Sequence, residues 1–155
     1  SLRFLLITLG MTPLRRLTGW TWPARLRRML GLFGFFYVCV HLTTYLWLDQ
    51  FFDWGEIGRD IVKRPFITVG MLAFVLLIPL AVTSNKAMIK RLGRNWVRLH
   101  RLAYVIPALG VLHFWWLVKA DVRAPLAYAL LFLLLMLLRW PPLAGRLATT
   151  AGQGR

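Results

Sequence analysis

The chain has 155 residues, with 20 Lys and Arg against 5 Asp and Glu, a formal net charge of +15, yet 59% of it is hydrophobic and its mean hydropathy is +0.62. A soluble domain this basic binds nucleic acid through exposed cations and does not also carry long uncharged apolar runs, which a core of this size cannot hide. Disorder is excluded by the apolar content, and a disulfide scaffold by the single cysteine, Cys39. What remains is a small all-α membrane protein.

Five uncharged windows follow one another: Phe4–Leu14, Met29–Leu48, Pro65–Asn85, Leu102–Val118 and Ala124–Leu138. A crossing helix needs about 20 mostly apolar residues, and about 17 at the least. The second, third and fourth windows qualify. The fifth qualifies if Arg139 snorkels and Trp140 sits in the headgroup belt. The first is too short. It starts at the chain terminus with Ser rather than Met, so the sequence is expected to begin inside a membrane helix with a segment upstream. It reads poorly as a signal peptide, because it lacks a small-residue cleavage site and runs into Pro13 and Arg15–Arg16. The expectation is a polytopic transmembrane helix bundle over residues 1–140, with four complete spans plus a truncated N-terminal helix. Residues 141–155 are expected to form a flexible cytoplasmic tail.

Charge sets the orientation. Segments 13–29, 84–101 and 139–155 hold most of the cations and no acid. Segments 49–64 and 119–123 hold Asp49, Asp53, Glu56, Asp60 and Asp121. The positive-inside rule puts the first set, and so the C-terminus, in the cytoplasm. The cations then face anionic lipid, which accounts for the charge without nucleic acid. Loop 49–64 is short and aromatic and is expected to lie along the outer interface, with Phe51, Phe52 and Trp54 dipping into it.

Three histidines carry the chemistry. His41 and His113 lie within uncharged windows, and His100 lies at the cytoplasmic mouth of one. An ionisable group inside a membrane helix marks a functional site by default, although an interhelical hydrogen bond is the ordinary alternative. Counted from the outer ends of their helices, His41 and His113 fall within about 3 Å of one height. Two imidazoles at one level on different helices can hold a flat redox-active ring, as axial histidines hold haem. Zinc fits less well: it wants a third ligand, and Cys39 projects from another face of His41's helix. Without a C-x-x-C-H sequence, such a haem would be b-type. Gly31, Gly34 and Gly110 could make room for the ring or could serve ordinary helix packing.

His100 precedes His113 by about 20 Å of helix, at a second, cytoplasmic-side level. On one ideal helix the two rings would point about 220° apart, unless Pro107 kinks it. The opposing position before His41 is Arg27, which could pair with a haem propionate or, as an unusual case, act as an axial ligand. The ordinary reading of His100 is an interfacial residue touching lipid phosphate or quinone.

The segments LGLFGFFYVCVHLTTYLWLD (30–49), RPFITVGMLAF (64–74) and LAVTSNKAMIKRLGRNWVRLHRLAYVIPALGVLHFWWLVK (80–119) resemble the ferric-reductase-like transmembrane domain. Within it they are most similar to the haem-binding membrane subunits of bacterial periplasmic methionine sulfoxide reductases. The W-x-x-L-H-R-L-x-Y run from Trp96 to Tyr104, the start at Arg64–Ile67 and the turn at Thr83–Met88 carry the likeness, which extends from Leu2 to Trp140. The resemblance implies a bacterial inner-membrane, b-type haem electron carrier with no catalytic site of its own. It implies electrons from a cytoplasmic-side donor (quinone, a flavin such as FMN, or a flavin reductase) passed to a periplasmic molybdoenzyme subunit, MsrP. By motif, the family's haem histidines fall on His41, His100 and His113. Broader relatives use two histidine pairs, whereas Arg27 stands here in the fourth place and leaves any second haem's ligation open. The rival reading from another class is a small transporter or channel that uses the histidines as a proton relay.

Overall fold

The computed structural model describes residues 2–140, which form eight α-helices and one π-helical turn. The expected tail, 141–155, lies outside the described residues. Helix α1 (Leu2–Thr18) ends at Gly19, whose φ of 71° turns the chain sharply. Pro23 sits in the first turn of α2 (Trp22–Thr44), where a missing N–H costs nothing. Helix α2 then runs straight into the π turn Tyr45–Asp49.

Segment 49–64 is folded into a turn and a helix. Phe51 and Phe52 take positive φ in a tight turn, and Asp53 caps α3 (Trp54–Lys63) by accepting from the Gly55 and Glu56 amides. Its exposed Trp54 and the exposed Phe51 and Phe52 face outwards, as an interfacial segment requires. Arg64, held extended by the proline after it, turns the chain into α4 (Pro65–Val82). The basic stretch that follows is also folded. Asn85 caps α5 (Lys86–Leu92) through the Met88 amide, and Gly93 at φ 49° separates it from α6 (Arg94–Leu99). Helices α7 (Leu102–Leu117) and α8 (Arg123–Arg139) complete the bundle.

Helix α1 packs along α2 and also touches α7 and α8, while α4 packs along α7 and meets α2. Two small buried clusters mark these contacts: Leu6, Leu9 and Leu135 where α1 meets α8, and Leu77, Leu80 and Ile106 where α4 meets α7. Most large apolar side chains instead point outwards, among them Leu130, Leu131, Leu133, Leu134 and Leu137 of α8. Such a surface suits lipid and would be an aggregation hazard in water. Two of the helical runs, Arg25–Asp49 and Pro65–Val82, are long and apolar enough to cross a bilayer by length and composition.

Arg139 has partners that the sequence did not suggest. Pro13 inside α1 has no N–H, so the Leu9 carbonyl loses its helical partner. The Arg139 guanidinium reaches across from α8 and donates to that carbonyl at 2.8 Å and to Thr12 Oγ1 at 2.7 Å, while lying over the Tyr104 ring. A gap in one helix's ladder is filled by the last residue of another, which ties the two ends of the described chain together.

Candidate functional site

His41 projects from α2 and His113 from α7, with ring centroids 6.2 Å apart and planes at 75°. Both line a cavity of about 340 Å³ that opens near the π turn and is walled by α2, α4 and α7. His113 is held firmly. Its Nδ1 donates to the Phe66 carbonyl at 2.6 Å, an acceptor at the start of α4. That bond fixes the tautomer and leaves Nε2 with its lone pair, the state in which imidazoles bind metals. Gly70 makes the room. A Cβ there would stand 2.7 Å from His113 Nδ1 and 2.9 Å from its Cε1, so the imidazole lies directly against the α4 backbone.

These features fit an axially ligated ring. Two imidazoles bound through roughly 2 Å bonds to one metal ion place their centroids about 6 Å apart. Among the described residues no three His, Cys, Asp or Glu side chains are placed to hold a metal ion together, so the pair offers two ligands. A macrocycle that brings its own in-plane donors needs no more.

A second cavity, of about 300 Å³, lies towards the basic end, and both His100 and Arg27 line it. Here the structure revises the helical-wheel argument. His100 is not on α7: α6 stops at Leu99, the chain turns at His100 and Arg101, and α7 starts at Leu102. The angle computed for one continuous helix therefore does not apply. His100 stacks on Trp96 with ring centroids 3.9 Å apart, and Trp96 is pinned by its Nε1 donating to the Thr83 carbonyl. With Nδ1 donating to the Trp96 carbonyl, the buried Nε2 has no partner among the described residues. Burial lowers the His100 pKa, with the hydrogen bond to the Trp96 backbone acting against it. An uncharged ring with a buried, unpartnered nitrogen is a ligand site or a strain, and it faces the cavity shared with Arg27.

Gly31, Gly34 and Gly110 divide between the two readings open to them. Gly34 meets Leu5 at 3.1 Å and Gly110 meets Leu2 at 3.1 Å, so both serve close packing against α1. Of these three, Gly31 lines the second cavity. Gly70, Phe66 and Arg64 of the first cavity escaped the sequence reading. The Arg64–Ile67 motif pointed to their neighbourhood, but not to a contact spanning 47 positions. Between the cavities stand two parallel rings. Phe35 lines the second cavity and Phe74 the first, with centroids 6.2 Å apart and planes within 5°.

Apolar helices turned outwards around two cavities define a polytopic helical membrane protein. Residues 1–111 match the family model described as the ferric reductase like transmembrane component, and the chain belongs to that family. It is also similar to proteins described as the protein-methionine-sulfoxide reductase heme-binding subunit MsrQ. Identity is 58% to that of Herminiimonas arsenicoxydans, over 90% of this chain and 65% of that protein. It is 57% to that of Rhodospirillum rubrum, over 94% and 71%, and 57% to that of Xanthomonas campestris pv. campestris (strain 8004), over 96% and 69%. The chain thus spans about two thirds of the length of these relatives. No solved structure matches it.

Proposed function

We propose that the chain is a b-type haem subunit of a methionine sulfoxide reductase system in the bacterial inner membrane. It passes electrons from a cytoplasmic-side donor to a periplasmic molybdoenzyme subunit, MsrP. The observation that carries this reading is the His41–His113 pair, spaced for one shared metal ion and with His113 locked in the ligand tautomer by Phe66. The names of the similar MsrQ proteins point the same way. The haem supplies the one-electron chemistry when bound; the chain holds, orients and insulates it.

The second cavity supports an inner site on the donor's side. His100 offers Nε2 and Arg27 offers a cation for a carboxylate or phosphate. A second haem there shortens the electron's path across the roughly 30 Å hydrocarbon core. A bound flavin such as FMN, or a quinone, would do the same service.

The test is a pyridine haemochrome assay against protein mass, in wild type, His41→Ala, His113→Ala, His100→Ala and Arg27→Ala. Loss of the low-spin spectrum in the first two variants is expected. Colourless wild-type protein would overturn the reading in favour of a proton relay. Two haems falling to one in His100→Ala assigns the second cavity to haem. One haem throughout, with donor electron transfer lost in His100→Ala, assigns it to the donor.

A further inference from the structure

Asp60 and Arg64 stand at the outer rim of the first cavity, and nothing above gives them a task. Asp60 is buried, at 8% exposure. Its Oδ1 takes Arg64 Nε at 3.1 Å, and its Oδ2 accepts from Tyr45 Oη at 3.1 Å and Gln50 Nε2 at 2.8 Å. A buried carboxylate persists when its oxygens are hydrogen-bonded and a cation balances it, and here both conditions hold. The donors come from the π turn, from the residue after it and from the entry to α4, so the network ties together the elements around the cavity's mouth.

The consequence falls on Arg64. It is engaged side-on through Nε and its side chain is 56% exposed, so its two terminal nitrogens are open to a ligand at the cavity mouth. Guanidinium nitrogens left in that fork match a carboxylate bidentately. Arg64 is also the one Arg or Lys lining the cavity that holds His41 and His113. Asp49 lines the same rim and opposes an anion, so it is the Nε contact to Asp60, which orients the guanidinium, and not net charge that favours a carboxylate here.

We propose that Arg64 is the carboxylate anchor of this cavity. Its terminal nitrogens bind a propionate of the ring held by His41 and His113, and Asp60 is the positioning residue that presents them. The proposal rests on the haem reading of the cavity.

The experiment compares binding of haem and of haem dimethyl ester, whose propionates are capped, to the full chain in detergent. It is run in a His100→Ala background so that the outer pair alone is read. The parent is expected to bind the ester about tenfold or more weakly, the worth of a hydrogen bond to a charged group. Arg64→Gln should bring that ratio towards one and shift the haem midpoint potential downwards, because a cation near the iron's ring no longer disfavours the ferric state. Arg64→Lys should keep part of the ratio, and Asp60→Asn should fall between. If Arg64→Gln fails to fold by circular dichroism, the change from parent to Arg64→Lys carries the comparison. A ratio unchanged from the parent in the folded Arg64 variants overturns the anchor while leaving the cavity reading intact. Haem binding indifferent to His41→Ala and His113→Ala would instead overturn the cavity reading, and the anchor with it.

Discussion

Gly70 gives the sharpest residue-scale prediction, because a single methyl group there has nowhere to go. In Gly70→Ala the new Cβ would overlap His113 Nδ1, so the imidazole must leave the Phe66 carbonyl or α4 must shift. Overpacking of this kind costs about 1–3 kcal/mol, enough to misplace a ligand without unfolding a bundle. Gly70→Ala should therefore keep its helical circular dichroism but lose or alter the low-spin haem spectrum. A native spectrum would mean that Gly70 is only a packing residue. The 75° between the two imidazole planes makes a second prediction. If a haem were held by both rings with their planes kept as they stand, its iron π orbitals would be nearly degenerate. The oxidised protein should thus give a highly anisotropic low-spin EPR signal, and an ordinary rhombic signal would show that the rings realign. His41 and His113 were legible in the sequence because depth along a helix can be counted. Gly70 and Arg64 were not, because their roles arise from contacts between helices, which leave no mark on local periodicity.

At the scale of elements, the bundle depends on repairs made between helices. Arg139 donates to the carbonyl that Pro13 leaves open in α1, so Arg139→Met should orphan it and destabilise the fold by about 1–3 kcal/mol. Pro13→Ala restores an amide to the Leu9 carbonyl, and the cost of Arg139→Met should shrink in that background. Unfolding of the four proteins in mixed detergent micelles measures the coupling, and additive effects would rule out the repair. The apolar windows foretold the long helices. They did not foretell the short ones, α3, α5 and α6, whose formation depends on caps at Asp53 and Asn85 and on the turn at Gly93. The break at His100 was likewise hidden: nothing in the run from Trp96 to Tyr104 is a strong helix breaker, and the Trp96 side chain just before it is tied to the Thr83 carbonyl of another segment.

At the scale of the whole molecule, the segregation of acids to segments 49–64 and 119–123 predicts that both cavities are ordered along the membrane normal, the His41–His113 one outermost. A cytoplasm-sensing reporter fused after Arg155 should be active, and a periplasm-sensing one silent. The reverse result would place the first cavity on the wrong side for a periplasmic partner. Between the cavities the described barrier is the parallel pair Phe35 and Phe74, beside the apolar cluster of Leu77, Leu80 and Ile106. Rings of that kind carry no hydrogen-bonding groups along which a proton could hop, and on the proposed reading they would separate the group held in one cavity from the group held in the other. Charge would therefore cross this protein as bare electrons, uncompensated by protons. On the proposed outward route each electron moves away from the negative cytoplasmic side, with about 2.3 kcal/mol of assistance per 100 mV of membrane potential for a full crossing. Repair of oxidised methionines outside the cell would then draw on the same electrical gradient that energises the membrane, and should slow when an ionophore collapses it.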